Sequence, residues 1–527
     1  MSMPGALVIA DAQVLALDDA QREWPRADIV IDGARIAAIG PGAAAAWTGP
    51  VARRIDARGQ LAMPGLINAH FHSPGNLMKG ALDGMPLELF MLYEVPPLAD
   101  DPSSGDSARL AYVRTQLAAV EMLRRGITCV HDDAYHVPVA STEGIDAIMQ
   151  AYADSGIRAT VAIDQPNVPE VDKYPFLAEV LSADQRRAMD AAPRQTSAEL
   201  LALYAHLIQR WHGAADGRLA AAVSCSAPQR VTDDYFRGLS ALSRQHDLPF
   251  NIHILETRLQ RVLGDTKYGK SLVRHVHDLG LLDERMMVIH AIWIDADDIA
   301  LLARAGCTVA HNPVCNLRLG SGVMPWRALH EAGVPLCLGT DEMNTDDTVN
   351  LWAVAKTAAL LSTLVDVDNR QWPRAAEFLH AATRGGARAI RRAADLGQLA
   401  VGAAADLILL DLDTHAFTPL NDLARQLVYC EDGSSVRTTI VHGEVVFEDG
   451  RLTTLDERAL RAEARVLMAG YRKQLADAGH QAAALEPAYR AMLERAAATP
   501  VTVSRRLDGA YDFPVTSARH RPSKESS

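Results

Sequence analysis

The sequence predicts an α/β protein built on a (β/α)8 TIM barrel, with further strands on both sides of the barrel and a helical extension at the end. Three observations support this fold class. Eight short apolar runs bounded by Gly, Pro or charged residues alternate with stretches of helical periodicity. Side chains that can bind metal recur at the ends of several runs, where such a barrel collects its functional groups. Strand-like segments with Gly and Asp turns lie outside the eight units.

The predicted elements begin with three strand-like stretches before the barrel, at residues 6–9, 13–17 and 29–40. Their Gly and Asp residues stand where turns would join them. These stretches precede the first barrel unit, so we assign them to a separate β-structure.

Eight apolar runs form the predicted barrel. Each is short enough for a buried strand, and the sequence between successive runs has helical spacing. Eight such units predict a closed barrel whose strand ends all face the same side. The runs lie near residues 61–72, 126–133, 157–164, 219–226, 248–256, 287–293, 308–314 and 334–341.

Strands return after the barrel, at residues 402–411 and 438–447. Residues 454–497 are rich in Ala, Leu, Glu and Arg at helical spacing and predict a helical extension. The stretch 517–527 is polar and basic, and we expect it to be disordered.

The most informative motif is Asn68-Ala69-His70-Phe71-His72, in which His70 and His72 are separated by one residue at the end of an apolar run. On a strand, residues i and i+2 point to the same face, so both imidazoles could hold one metal ion. His275 and His277 have the same spacing but lie in a stretch that predicts an amphipathic helix, where i and i+2 diverge. We therefore interpret the second pair as solvated surface.

Four further groups strengthen the metal hypothesis. His253 and Glu256 follow one apolar run, and His290 and Asp341 each end another. Alone, each residue type is more often structural than catalytic. Four of them at strand ends, together with the first histidine pair, predict a metal enzyme.

Composition limits the possible partners and compartment. A formal charge of −13 makes nucleic acid and anionic membranes unfavourable partners. No N-terminal signal region and no apolar run long enough for a membrane span are present, so we expect a soluble protein. Six cysteines in 527 residues, without a Cys-x-x-Cys pair, argue against a disulfide framework and a thiolate zinc site. We expect a cytoplasmic enzyme that acts on a small molecule and forms a homodimer or higher homo-oligomer.

The chain resembles the amidohydrolase superfamily, in the branch of S-adenosylhomocysteine/methylthioadenosine deaminases, cytosine deaminase and s-triazine hydrolases. The resemblance extends from about Leu7 to Gly450. It rests on the motifs at residues 63–72, 77–80, 253–257, 311–320 and 338–341.

The resemblance implies one divalent metal ion per chain, most often Zn2+ and sometimes Fe2+. Its implied ligands are His70, His72, His253 and Asp341. The run at residues 219–224 has no lysine, whereas relatives with two metals carry a bridging lysine there, so one metal is favoured.

The resemblance also implies that both chain ends pair into one small β-sandwich. The expected domain boundaries are therefore 1–60 for the N-terminal part of the sandwich, 61–395 for the barrel, 396–452 for the C-terminal part of the sandwich, and 453–527 for the helical extension and polar tail.

The residue types suggest a mechanism. A metal held by three neutral imidazoles and one carboxylate lowers the pKa of water from about 15.7 towards neutrality and so provides hydroxide. Glu256 is placed to take a proton and deliver it to a ring nitrogen or leaving amine. By resemblance, His290 polarises the attacked group or steers the hydroxide, and Asp341 accepts a second proton.

Four residues are candidate substrate contacts. Ser226 stands where adenosine-type deaminases tend to have a histidine, which weakens a purine-nucleoside assignment. Glu342 follows Asp341, where many relatives have a small residue, and could favour a cationic substrate; a solvated loop is the alternative. Phe90 belongs to the segment that covers the pocket in relatives, and His311 belongs to one of the shared motifs.

The predicted function is metal-dependent hydrolytic deamination, or closely related C–N hydrolysis, of a small heterocyclic or amidine-like compound. One alternative is displacement of chloride, thioether or alkylamine from an s-triazine-type ring, since residues 345–350 resemble that branch. A second alternative, from another class, is a catalytically silent relative used for assembly.

Overall fold

A computed structural model describes residues 5–95, 107–365 and 368–505. The tail at 517–527 lies outside these residues. Within the described residues the strands are β1 Ala6–Leu15, β2 Glu23–Asp32, β3 Arg35–Gly40, β4 Val51–Asp56, β5 Gln60–Pro64, β6 Leu66–His72, β7 Ile127–Tyr135, β8 Arg158–Asp164, β9 Leu219–Ala221, β10 Val223–Ser224, β11 Phe250–Ile254, β12 Met286–His290, β13 Thr308–His311, β14 Leu336–Leu338, β15 Asp341–Glu342, β16 Leu407–Asp411, β17 Val436–Val441, β18 Glu444–Glu448 and β19 Arg451–Leu452.

Helices fill most of the connections between strands. In the described ranges none is both long and apolar enough to cross a bilayer. They are α1 Ala43–Ala46, α2 Leu87–Glu94, α3 Ala108–Arg124, α4 Thr142–Ser155, α5 Leu177–Val180, α6 Ala183–Asp190, α7 Ser197–Trp211, α8 Ala214–Gly217, α9 Asp233–His246, α10 Arg258–Leu263, α11 Leu272–Asp278, α12 Ala296–Ala305, α13 Pro313–Arg318, α14 Trp326–Glu331, α15 Met343–Asp346, α16 Leu351–Ser362, α17 Ala375–His380, α18 Gly386–Ala389, α19 Leu423–Tyr429 and α20 Glu457–Ala498.

The barrel consists of two five-stranded parallel sheets. Their strand orders are β15-β6-β7-β8-β9 and β10-β11-β12-β13-β14. The breaks fall within the fourth and eighth barrel strands, each of which is split into two short pieces, β9 with β10 and β14 with β15. The eight predicted runs therefore form eight barrel strands, and the predicted fold class is confirmed.

The predicted run at residues 61–72 is two strands that belong to different sheets. β5 pairs antiparallel with β16, and β6 pairs parallel with β7. Gly65 lies between them, and a Cβ on it would come within 2.1 Å of the Thr128 side chain. The chain therefore changes sheets at a glycine that allows a close approach to its neighbour.

Strands from both chain ends form one nine-stranded sheet. Its order is β19-β18-β17-β16-β5-β1-β2-β3, with β4 beside β1. A bridge between Arg35 and Ala404 brings the β3 edge back to the residues that precede β16. Side chains from both ends share one buried core, among them Ile9, Ile29 and Leu407. The two ends are thus one structural unit beside the barrel.

The C-terminal extension is the long helix α20, which packs against the α2 helix that follows the first barrel strand. Leu485 and Tyr489 of α20 are buried with Leu89 and Leu92 of α2 in one cluster. Arg258, at the start of α10, donates to the carbonyl oxygen of Thr499 just after α20, at 2.5 Å. The extension therefore braces the α2 side of the barrel mouth.

Candidate active site

A cavity opens at the carboxyl ends of the barrel strands. Its floor contains His72, His253, Glu256, His290 and Asp341, which come from four different strand ends. Its apolar wall comes from α2 and α13 and includes, in chain order, Leu87, Phe90, Met91, Cys315 and Leu319. The strand ends thus bring together polar groups under a largely apolar cover, which is the usual composition of a small-molecule site.

Four side chains converge at the floor of this cavity. The Nε2 atom of His253 lies 3.2 Å from Nε2 of His70 and 3.3 Å from Nε2 of His72. Oδ1 of Asp341 lies 3.3 Å from Nε2 of His70 and 3.6 Å from Nε2 of His72. Ligand atoms about 2.0–2.1 Å from one tetrahedral ion are separated by about 3.3 Å, so these spacings fit a single metal.

The tautomers of two imidazoles support the same conclusion. The Nδ1–H group of His253 donates to the carbonyl oxygen of Ser226 at 2.8 Å, and that of His72 donates to the carbonyl oxygen of Asp133 at 2.5 Å. In the neutral form each ring therefore has a bare Nε2, and these two atoms face each other. Facing lone pairs repel unless a cation lies between them.

The carboxylate of Asp133 lies close to these imidazoles. His70, His72, Asp133 and His253 form a buried group whose ligand atoms lie within 4.8 Å of one another and could hold a metal ion. However, Oδ2 of Asp133 accepts from Ser224 at 3.1 Å and lies 4.0 Å from Nδ1 of His253, the atom that faces away from the cluster. The geometry thus favours Asp341 as the fourth ligand and Asp133 as a support.

Burial sets the protonation of the ring nitrogens. It lowers the pKa of His70, and it lowers the pKa of His253 well below its usual value. Both rings are therefore neutral at pH 7, which is the form that binds a metal ion.

Glu256 and His290 form a second polar pair at the floor. Oε2 of Glu256 lies 3.3 Å from Nε2 of His290. Nδ1 of His290 accepts from the side-chain amide of Asn316 at 2.9 Å. The proton of the neutral ring is therefore on Nε2 and points towards the carboxyl groups. Burial, followed by the charge of Asp341, raises the pKa of Glu256 well above its usual value, as suits a group that exchanges protons near neutrality.

The backbone is left-handed at several of these strand ends. Ser226, Leu255, His290 and Asp341 have φ values of 59°, 53°, 71° and 66°. Non-glycine residues rarely adopt this conformation, and it is retained where the surrounding structure fixes it, often at functional sites. Here it turns the chain sharply beside the converging side chains.

The candidate substrate contacts have different positions. Ser226, Phe90 and Glu342 line the cavity. His311 does not appear among the lining residues; it is buried and lies 5.9 Å, between ring centroids, from Trp326. Its substrate contact stays a prediction, and the observed contact of its ring is with Trp326 of α14.

The solvated-loop alternative does not hold for Glu342. Glu342 is buried, with 6% of its surface exposed. Asp347 is paired with Arg318 at 2.9 Å and does not line the cavity. The two histidines interpreted as surface also differ: His277 is exposed, whereas His275 is half-buried and stacks on Tyr268 at 4.0 Å.

Several polar residues of the site were not identified from the sequence. Asp133 and Asn316 support the converging side chains. Asp164 lines the cavity. Asp133 and Asp164 lie at the ends of apolar runs, and that position was the available signal. Asn316 lies within a helix, where its contact with His290 depends on tertiary packing alone.

Comparisons with known proteins identify the family. Residues 61–446 match the model of the amidohydrolase family. A 5-methylthioadenosine/S-adenosylhomocysteine deaminase of Moorella thermoacetica is 31% identical over 82% of this chain and 93% of its own. A 5'-deoxyadenosine deaminase of Methanosarcina mazei is 29% identical over 87% of this chain and 96% of its own.

Solved structures give the same result. A zinc-bound adenosine deaminase from Xanthomonas campestris superposes with a TM-score of 0.77 at 27% identity, covering 90% of this chain and all of its own. A zinc complex of atrazine chlorohydrolase from Arthrobacter aurescens TC1 gives 0.79 at 26% identity, covering 88% and 99%. These matches confirm the predicted class, a metal-dependent hydrolytic deaminase acting on carbon–nitrogen bonds. The chain belongs to the amidohydrolase family.

Proposed function

We propose that this enzyme holds one zinc ion and deaminates a small planar compound, either an amino-substituted heterocycle or an amidine. The observation that carries the proposal is the convergence of bare imidazole nitrogens beside buried Glu256 and His290, under an apolar wall. Neutral imidazoles and a carboxylate suit zinc, and the zinc-bound relatives support that choice over iron.

The proposed metal ligands are His70, His72, His253 and Asp341. Their spacing fits one tetrahedral ion, and the carbonyl groups of Ser226 and Asp133 hold two of the rings in the required tautomer. When bound, a divalent ion lowers the pKa of a water molecule towards neutrality and so supplies a nucleophile.

Glu256 is the proposed proton carrier. Its carboxyl group lines the cavity between the converging imidazoles and the space for substrate. We propose that it removes a proton from the attacking water and transfers it to the ring nitrogen or leaving amine of the substrate. Ser321, whose hydroxyl lies 3.5 Å from Oε1, helps to fix the carboxyl group.

His290 and Asp341 complete the proposed proton path. Nε2 of His290 lies between Oε2 of Glu256 and Oδ2 of Asp341, at 3.3 and 3.6 Å. Its proton can orient the attacking oxygen or stabilise negative charge on it. Oδ2 of Asp341 has no hydrogen-bond partner among the described residues, so it is free to accept the second proton.

Two features of the cavity lead us to propose a small substrate. Ser226 gives this chain a hydroxyl at the cavity, where adenosine-type relatives tend to have an imidazole. Phe90 and the other apolar residues of α2 provide a surface for a flat ring. We therefore propose a single heterocycle or amidine instead of a nucleoside.

A second candidate reaction is displacement on an s-triazine ring. The atrazine chlorohydrolase structure covers 88% of this chain, and the nucleophile that attacks an amino-bearing carbon could also displace chloride, thioether or alkylamine. The product separates the two reactions, because only deamination releases ammonia.

The cellular setting is also proposed. All six cysteines are free, and five of them are buried. This supports a reducing compartment, so we propose the cytoplasm. We propose a homodimer or higher homo-oligomer as the working assembly.

The test is ammonia release from a panel of aminated pyrimidines, purines, pterins, triazines and aryl amidines by the zinc-loaded enzyme. We expect turnover of at least one small aminated ring or amidine and none when Glu256→Gln replaces the wild type. Release of chloride or alkylamine without ammonia would favour the triazine reaction. Deamination of nucleosides alone would contradict the proposed substrate size.

A further inference from the structure

The α2 helix contributes one acidic residue to the cavity in addition to its apolar wall. Glu94 is the last residue of this helix and lines the cavity with Glu342 of β15. Both side chains are almost fully buried, with 7% and 6% of their surfaces exposed. Two carboxyl groups from distant parts of the chain therefore share one wall.

Hydrogen bonding leaves much of this wall unsatisfied. Oε1 of Glu94 accepts from the side-chain amide of Asn344 at 2.7 Å. Oε2 of Glu94, Oε1 of Glu342 and Oδ1 of Asn344 are buried and have no partner among the described residues. In the ionised carboxylates and the amide all three are acceptors, so a ligand that satisfies them must supply donors.

The lack of a side chain on Gly75 leaves room for two of these acceptors. A Cβ on Gly75 would lie 2.0 Å from Oε1 of Glu342 and 2.7 Å from Oδ1 of Asn344. Any larger residue would therefore displace both side chains. The backbone at Gly75 thus leaves the space that the side chains of Glu342 and Asn344 occupy.

These two carboxyl groups also lack a basic partner among the described residues. Within the described residues, neither Glu94 nor Glu342 forms an ion pair with a lysine or an arginine, although ion pairs are common elsewhere in the chain. Burial raises the pKa of Glu94 to about 8, and ionisation of both carboxyl groups would place two like charges on this wall. A bound cation would relieve the repulsion between the two groups.

We propose that Glu94 and Glu342 form a subsite for a planar cation with several N–H donors, such as an amidinium or a protonated amino-heterocycle edge. This inference deepens the proposed function, since it names the chemical group by which the substrate is recognised. In this subsite Glu94 and Glu342 accept from N–H groups at the two sides of the ligand. The side-chain amide of Asn344 fixes the carboxyl group of Glu94. The opposite face of the ligand then lies against the apolar residues of α2.

The experiment compares benzamidinium with benzamide in the zinc-loaded enzyme by titration calorimetry. The two probes have similar shapes, but only the first is a cation with donors on both nitrogens. We expect wild type to bind benzamidinium at least about tenfold more tightly than benzamide. Failure of benzamidinium to bind, or equal affinity for both probes, would overturn the subsite.

Variants identify the residues responsible. Glu94→Gln and Glu342→Gln should each reduce the affinity for benzamidinium by about tenfold and change that for benzamide by less than about threefold. Glu342→Gly, which removes the whole side chain, should behave in the same way. Asp347→Asn is the matched control, because it removes a nearby charge that does not line the cavity.

The outcomes separate the subsite from the proposed reaction. Equal losses for both probes in Glu94→Gln, with unchanged zinc content, would show that Glu94 only maintains the shape of the cavity and would contradict the proposal. A wild-type enzyme that selects benzamidinium but releases no ammonia from any compound would retain the subsite and refute the deaminase. Deamination without cation selectivity would do the reverse.

Discussion

At the scale of single residues, the metal site gives the first prediction. His70→Ala and His253→Ala should reduce the metal content from about one ion per chain to nearly none, and activity should fall with it, because a four-ligand site has no replacement donor. Elemental analysis of the purified variants measures the change. His277→Ala is the control, since this exposed histidine lies on α11 outside the site. Full metal content in His253→Ala, or two ions in wild type, would contradict the single site.

The proton carrier gives the second prediction. Glu256→Gln should keep the metal and lose at least about 100-fold in kcat, because the amide cannot accept and return a proton while every proposed ligand remains. Elemental analysis and steady-state rates on the same preparation provide the two measurements. Unchanged kcat at full metal content would remove Glu256 from the mechanism.

Sequence patterns could predict these residues only where position along a strand determines their direction. His70 and His72 share a face because strand periodicity requires it. Glu94 is different: its distance from Glu342 depends on how α2 folds over the barrel, and no local periodicity specifies that. His311 is a further case, because the sequence places it at a strand end but does not predict the contact of its ring with Trp326.

At the scale of elements, the brace between α20 and α2 can be tested. Leu485→Ala should lower the free energy of unfolding by about 2–5 kcal/mol, because Leu485 is 1% exposed and its loss leaves a cavity. Since α2 shares this cluster and lines the active-site cavity, KM should rise more than kcat falls. Urea denaturation and steady-state kinetics measure the two effects.

The same helix provides the control. Val466 of α20 is 74% exposed, so Val466→Ala should change stability by less than about 0.5 kcal/mol. Similar effects of both substitutions would show that α20 does not brace the barrel through this face.

Element boundaries were predictable to the extent that apolar runs end at turn residues. The predicted helix at 454–497 is observed at Glu457–Ala498, because its spacing is regular over many turns. The run at 61–72 could not be divided from the sequence, since both of its halves are apolar and only pairing with β16 or β7 distinguishes them.

At the scale of the whole molecule, one buried ion pair joins the barrel to the terminal sheet. Arg158 of β8 donates to both carboxylate oxygens of Asp406 at 2.7 and 2.9 Å, and Asp406 also accepts from the backbone amide of His442. Both side chains are 3% exposed. Asp406→Ala should therefore cost about 3–5 kcal/mol of stability, because it leaves a buried guanidinium unpaired.

A matched pair of variants separates this contact from a general charge effect. Asp56→Ala breaks the exposed pair with Arg58 and should cost at most about 1 kcal/mol. The double variant Arg158→Met with Asp406→Leu should recover much of the loss, since an apolar pair leaves no buried charge. Thermal unfolding of the three proteins makes the comparison. No recovery in the double variant would show that Asp406 acts through His442 instead.

The position of β5 between β1 and β16 has a consequence for synthesis on the ribosome. β5 ends at Pro64, whereas β16 begins at Leu407, so one edge of β5 has no native neighbour until the entire barrel has been translated. At about 5–20 residues per second, this interval is roughly 20 to 70 seconds. An open strand edge can pair with another nascent chain during that time. Chains that terminate before Leu407 should therefore be substrates for chaperones or aggregate, even when every residue proposed for catalysis has already been made.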